Sequence, residues 1–323
     1  MGYVATRCFQ AALLLLGVSF LTFMFLDLSP GDFFQEMNLN PQITQSTIDR
    51  FRIQYGMDQP LPVRYGRWLH SMVHGDLGYS LAYNSPVAPL LWVRARNTLF
   101  MTGTAMLFAW LLAIILGVVC AQWPGGWLDR ICLVGTSILL VTPELLLGLC
   151  FLAIAVRTGW LRAGGMVSPD FEDLKLLEKV EDLAAHLVAP MVVLLLGSLP
   201  VLLRHVRNAM LEVLNSRFIQ AARGHGVAPF RILFRHALPA AMNPIVSLFG
   251  FSLASLLSVS LLTEVIMSWP GLGPLLLEAV LARDIHVVIG AVMLSTLFLV
   301  LGTAVADILL YASDPQVHLR RSK

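Results

Sequence analysis

Long apolar runs constrain this chain more than any other feature. A helix needs about 20 such residues to cross the hydrocarbon layer of a membrane. Six stretches qualify. The first, CFQAALLLLGVSFLTFMFL, runs from Cys8 to Leu26. The second, Thr98 to Gln122, carries no charge. The third, Ile131 to Val156, carries one, Glu144, directly after Pro143. The fourth and shortest is Leu187 to Leu203, the fifth Pro239 to Thr263, the sixth Ile285 to Ala306. In lipid the backbone must satisfy its own hydrogen bonds, so these runs predict helices. Composition agrees: only 13% of the residues are charged, against about 25% in soluble domains. The expected fold is an all-α membrane protein with six transmembrane helices. A cleaved signal peptide at the start would need a charged beginning and a small-residue cleavage site. Arg7 is the only early charge and DLSPGD follows the run, so an uncleaved anchor is expected.

Loop charge sets the orientation, because Lys and Arg favour the cytoplasmic side. After the fourth run stand Arg204, Arg207, Arg217, Arg223, Arg231 and Arg235 against one acid, Glu212. The tail ends in Arg320, Arg321 and Lys323. Between the third and fourth runs, Lys175 and Lys179 are outnumbered by Asp170, Glu172, Asp173, Glu178, Glu181 and Asp182. The arginine-rich loop and both termini are therefore expected in the cytoplasm. This divides the chain into a first transmembrane helix (1–28), an external region (29–97) and a five-helix core (98–323) with a cytoplasmic loop at 206–238.

The external region predicts two short helices. Ser46 or Thr47 caps one that starts at Ile48 and ends at Gly56. DQPLP then imposes an extended turn. In VRYGRWLHSMVHG, Val63, Tyr65, Trp68, Leu69, Met72 and Val73 fall near one helical face, and Gly75 ends the helix. The region has too few apolar residues for a core of its own, so it is expected to cap the bundle. His70 and His74 are four apart and could share a face, but no third ligand stands near them. They read as surface histidines.

Much chemistry is absent. There is no GxxxxGK[ST], HExxH or GxSxG segment and no paired-carboxylate signature. Cys8, Cys120, Cys132 and Cys150 are far apart, show no metal or redox spacing, and read as apolar packing residues. A net charge of +2 suggests no nucleic-acid partner. No catalytic, cofactor or metal site is expected, and transport or a structural role is left.

The stretch QAARGHGVAPFRILFRHALP, Gln220 to Pro239, is the most specific segment. Before Gly226 it reads as a short helix with Ala221 and Ala222 in the middle, ended by Gly224 and Gly226. After it, Pro229 opens a second helix. Phe230, Leu233, Phe234, Ala237 and Leu238 form its apolar stripe, with Arg231 and Arg235 opposite. Pro239 is expected to end that helix and start the fifth span. The arginines serve topology; small residues at fixed spacing serve a docking surface.

Here the chain resembles a family. Ala221-Ala222, Gly226 and Leu238-Pro239 match the signature of ABC-importer permeases, although Gln220 stands where that signature has Glu and His236 where Ile is usual. LDLSPGD, YGMDQPLPVRYGRWL, HGDLGYSLAYNSPV, TEVIMSWPGLGPLLLEAVLARD and DILLYASDPQV narrow the resemblance to the dipeptide/oligopeptide/nickel branch. VRARNTL, TPELLLG and Gln316 depart from its pattern.

The resemblance implies a permease that pairs with a second, homologous subunit in the membrane lipid. Two cytoplasmic ATPase subunits dock below and an external solute-binding protein delivers solute from above. Ala221, Ala222, Arg223, Gly224, Gly226, Leu238 and Pro239 are the implied coupling residues, with ATP hydrolysed in the partner subunits. In MSWPGLGPLLLEAVLARD, Pro270, Gly271 and Gly273 make an external turn before a short helix, read either as a structural closure or as a gate meeting the binding protein. Glu144 is the acid inside a span, and Pro143 frees a carbonyl beside it. The pair reads as lining the translocation path, against an interhelical hydrogen bond. Short peptides are the expected substrate, with nickel or another small solute as the alternative. A non-transporting scaffold or sensor is the rival class, and a secondary transporter would need ion sites or repeat symmetry that the sequence does not offer.

Overall fold

Helices make up nearly all of the chain, because apolar runs this long leave backbone groups no other partner in lipid. The computed structural model describes residues 2–28, 50, 59–162 and 164–313. The helix expected from Ile48 to Gly56 and the basic tail at 320–323 lie outside the described residues. In chain order come α1 (Gly2–Leu28), α2 (Leu61–Val73), a hairpin of β1 (Tyr79–Ser80) and β2 (Ser85–Pro86), then α3 (Val87–Gln122). The hairpin is antiparallel, with Ser80 opposite Ser85. Next are α4 (Trp127–Val141), α5 (Glu144–Thr158), a 3-10 turn (Phe171–Asp173) and α6 (Leu176–Leu214). The chain continues through α7 (Arg217–Gly224), α8 (Pro229–Arg231), a π-helical segment (Ile232–Ala237), α9 (Leu238–Ile266), α10 (Leu272–Leu281) and α11 (Ile285–Ser313).

Among the described residues five helices are long and apolar enough to span a membrane, within α1, α3, α6, the α8–α9 run and α11. The third run, expected as one span, is instead two 15-residue helices, α4 and α5, meeting at 100°. The cause is Pro143. The residue before a proline is pushed out of the helical region, and Thr142 sits at φ −81°, ψ 116°. Pro143 itself is extended, at ψ 139°, and its carbonyl accepts the first bonds of α5 from Leu146 and Leu147. Two successive non-helical residues turn the expected single span into a break. Exposed Trp123 and Trp127 flank the turn before α4, and exposed Trp160 follows α5, the placement expected of aromatic residues at the two membrane interfaces.

The chain divides into two units: residues 1–98 with 270–298, and 99–269 with 299–323. In the first, α2 lies along the second half of α1. Trp68 and Phe23 are buried with Ile289, and Leu61, Tyr65, Leu69 and Met72 pack against them. Their spacing of four, three, one and three residues is one helical face. Val63 and Val73, expected on that face, are exposed. The Tyr65 hydroxyl meets Ser19 Oγ at 3.0 Å, and Arg64 pairs with Asp27 at 2.6 Å. Gly75 ends α2 at φ +83° as expected.

In the second unit the core joins α3, α6 and the start of α9. Ala105, Ala109, Ala113 and Ala121 of α3 are buried, and Gly117 completes the four-residue spacing. Small residues at this spacing let helix backbones approach closely. At Gly117 the approach is tightest: a Cβ there would lie 2.8 Å from Val206 Cγ1 and 3.1 Å from the Arg207 nitrogen.

Candidate functional site

The segment from α7 to α9 is built around one glycine. Gly226 has φ +73°. The Val227 N–H donates to the Ala222 carbonyl at 3.1 Å and the Gly226 N–H to Arg223 at 3.0 Å. These are the two bonds of a Schellman motif, which closes a helix through a left-handed residue. Gly224 is the last helical residue and takes no such conformation. Ile219 is fully buried and anchors α7 to the core, while Ala221, Arg223, Gly224 and Gly226 are exposed. Ala222 is half-buried, packed on the core beside Val227. The Gln220 amide donates to the Asn215 carbonyl at 3.2 Å, tying α7 to the end of α6. An ionised glutamate could not donate that bond.

The expected apolar stripe is split. Leu233 and Ala237 are buried and Leu238 half-buried, but Phe230 and Phe234 are exposed, their rings 4.5 Å apart. Ile232, outside the stripe, is buried instead. Pro239 does not end the helix. It lies in the first turn of α9, and the chain stays helical from Pro229 to Ile266 through the π segment. The Leu238 N–H reaches back to the Leu233 carbonyl. Proline at 239 supplies no N–H and crowds the carbonyl four residues earlier; the wider π turn just before it accommodates both.

Two arginines counted with the loop are not in it. Arg204 and Arg207 belong to α6 and point at α4. Arg207 grips Asp129 with two bonds, Nε to Oδ1 at 2.5 Å and Nη2 to Oδ2 at 2.8 Å. Asp129 is 2% exposed and also accepts the Gly125 N–H at 2.8 Å. Arg204 donates to Thr136 Oγ1 (3.0 Å), Ser137 Oγ (2.5 Å) and the Leu133 carbonyl (3.2 Å). Beside this junction the Cys120 side chain of α3 lies next to Cys132 of α4. The four cysteines are far apart in sequence, but two of them meet.

At the break in the third span, Glu144 opens α5. Its Oε1 accepts from Thr263 Oγ1 at 3.1 Å. Gly197 of α6 faces it, where a Cβ would lie 3.6 Å from the carboxyl carbon. The interhelical bond weighed against a path role is therefore present, though the carboxyl stays half-exposed. Glu144 is not the sole acid inside these helices, because Glu264 of α9 is fully buried. The fifth run was expected to stop one residue short of it.

The turn at residues 270–273 in the first unit and the helix after it are fastened at both ends. The Pro270 carbonyl accepts from Asn97 Nδ2 at 2.8 Å, and the Leu272 N–H is capped by Thr98 Oγ1 at 2.9 Å. Gly271 and Gly273 are buried. At the far end Asp284 accepts from Ser80 Oγ at 2.7 Å and the Ala82 N–H at 3.1 Å, while it caps Val287 of α11 at 3.3 Å. The Tyr83 hydroxyl donates to Glu278; partial burial and that carboxylate push its pKa up to about 12. His70 and His74 lie exposed at the end of α2 with their rings tilted against each other, and no group of three metal-ligating side chains occurs among the described residues.

The residues sequence reasoning missed are Asp129, Glu264, Asp284, Asn97 and Thr98. An acid in an apolar segment is a signal in itself, and Asp129 and Glu264 carry it.

The family described as "Binding-protein-dependent transport system inner membrane component" matches residues 113–319, and its N-terminal companion matches residues 1–102. The oligopeptide transport system permease protein AppB of Bacillus subtilis is 32% identical, covering 98% of this chain and 99% of its own. A putative peptide permease of Brucella suis is 33% identical over 94% of this chain and 95% of its own. The glutathione transport system permease GsiC of Salmonella paratyphi A is 30% identical over 99% of this chain and all of its own (100%). Among solved structures, an inward-facing MetNI methionine ABC transporter matches with a TM-score of 0.56 at 21% identity, covering 70% of this chain and 96% of that one. This last likeness concerns the fold.

Proposed function

The chain belongs to the family of binding-protein-dependent transport system inner membrane components, and from that membership we propose that it admits short peptides through one permease half of its transporter. It is a multi-pass permease subunit of an ATP-binding-cassette importer, and ATP is hydrolysed in separate subunits. The peptide reading is carried by full-length similarity to permeases named for oligopeptides, peptides and glutathione. A second, homologous permease completes the pore. Both termini and α7 face the cytoplasm, and α10 faces outward toward the binding protein.

In this reading ATP-driven closure of the ATPase pair presses on α7. Exposed Ala221, Arg223, Gly224 and Gly226 meet the ATPase surface, with Ala222 behind them. Leu238 and Pro239 pass the movement into α9 without a break. Glu144, set at the break by Pro143, meets the cationic amino terminus of a passing peptide. Pro270, Gly271 and Gly273 seat α10, which acts as the external gate.

The test is uptake of labelled di- to pentapeptides by cells that lack other peptide importers and express this chain with its partner subunits and binding protein. ATP-dependent accumulation is expected, lost in Gly226→Asp while the complex still assembles. Accumulation of nickel or another small solute with no peptide uptake overturns the substrate reading. Normal uptake by Gly226→Asp overturns the coupling reading.

A further inference from the structure

Among the described residues, the polar groups linking α4 to α6 form a cluster in the second unit, with Asp129 and Thr136 buried, that the proposed function leaves unused. Asp129, Leu133, Thr136 and Ser137 sit at i, i+4, i+7 and i+8, one face of α4. Arg204 and Arg207 sit at i and i+3, one face of α6. The later residues of α4 meet the earlier arginine, so the two faces run antiparallel over five hydrogen bonds. The forked Arg207–Asp129 bond fixes orientation as well as distance. Asp129 also holds the Gly125 turn, so α4, α6 and the turn that follows α3 meet at one carboxylate. A loose surface pair could slide, but Asp129 is 2% exposed and cannot exchange Arg207 for water.

The position of this junction gives it a role. Toward one end, α6 stops at Leu214, and α7 begins at Arg217 with Gln220 bonded back to Asn215. Toward the other, α4 ends at Val141, followed by the break and Glu144. A displacement of α7 thus enters α6 through a short bonded corner. From α6 it can enter α4 only if the two move as one body, and the five bonds impose this.

We infer that Arg207, Asp129 and Arg204 are positioning residues, a strut that carries movement of α7 to the Pro143–Glu144 break. This rests on the reading of α7 as the coupling helix. Arg207→Lys keeps the charge and removes the fork. In the full complex, reconstituted in proteoliposomes with the partner subunits and loaded binding protein, hydrolysis is expected to continue. Peptide transported per ATP falls about tenfold, the scale of one lost charge-assisted bond. Reaction of a Leu145→Cys probe with maleimide, in a cysteine-free background, should change between nucleotide-free and ATP-bound states in the parent. It should stop changing in Arg207→Lys.

Parallel decline of uptake and hydrolysis at a constant ratio, or an unchanged ratio with the Leu145 response intact, overturns the strut. Where Arg207→Lys does not assemble, Arg204→Lys is measured the same way, and an unchanged ratio there overturns it equally. Cross-linking of an Ala221→Cys probe to the ATPase tests the underlying reading separately. If it forms in every variant, coupling contact stands and the ratio judges the strut. If it never forms, in the parent included, the coupling reading is what fails.

Discussion

Glu144 is held by geometry that leaves it a second use. Thr263 takes one oxygen at 3.1 Å, and the glycine at 197 keeps the opposite side open. An acid at a helix start is favoured by the aligned backbone dipoles. Glu144→Gln keeps the shape and the Thr263 bond. A charge-assisted bond to an ammonium contributes roughly 1.5–3 kcal/mol. Glu144→Gln should therefore raise the half-saturating concentration for peptides with a free amino terminus at least about tenfold. N-acetylated peptides should be unaffected. Uptake kinetics with both series decide this, and an equal effect on the two removes Glu144 from the path. Gly117 makes a simpler prediction. Its missing Cβ is what admits Val206, so Gly117→Val should destabilise the detergent-solubilised protein by about 1–3 kcal/mol, read as a lowered Tm.

At the scale of elements, four of the described helices end in the same left-handed turn, and glycine announces it only in α2, at Gly75, and in α7. Gly226 closes α7 at φ +73°, but Ser268 closes α9 at φ +52° and Arg283 closes α10 at φ +55°. Each of these ends shows the same bond pair, as in Trp269 to Glu264 and Ser268 to Val265. The Gly226 turn is legible because glycine marks it. The other two are hidden because tertiary contacts hold residues that propensity would not choose. Span three divides in the same way. Pro143 is visible, but whether a proline kinks or breaks a helix depends on its neighbours: Pro190 and Pro200 stay within α6. The Arg204 and Arg207 contacts were not legible, since a charge count assigns arginines to a loop and cannot see the face of a long helix.

The same turn gives a test of why position 226 is glycine. A Cβ there meets nothing within 4 Å, so crowding does not forbid a side chain; the backbone does. Gly226→Asn tolerates the left-handed region and should keep most uptake. Gly226→Val should cost about 1–2 kcal/mol at that turn and lower uptake along with the stability of the α7 corner. Limited proteolysis of the loop separates this from docking: Gly226→Asp should leave the proteolytic pattern near the parent and still lose transport. If Asn fails as Val does, the docking surface rather than the turn requires glycine.

At the scale of the whole molecule, the family, the membrane architecture and the turn at Gly226 were readable, because apolar length and glycine spacing are local signals. What joins distant segments was not. Asp284 meets Ser80 across 204 residues of chain, and no periodicity links them. Yet this contact decides how α10 behaves. Helix α10 has an exposed face, Leu277, Val280 and Leu281, and only 10 residues, too few to be stable alone. Its order comes from Thr98 at the start, Tyr83 on Glu278 and Asp284 at the end. Asp284→Ala removes the bonds to Ser80, Ala82 and Val287 together and leaves a buried hydroxyl unsatisfied, which costs about 1–3 kcal/mol or more. Amide hydrogen exchange of residues 272–281 should then accelerate about tenfold or more, while α7 exchanges as before. If α10 serves as a gate seated by these anchors, the variant should also hydrolyse ATP without waiting for loaded binding protein. Faster exchange with stimulation intact would leave α10 a closure of the fold and nothing more.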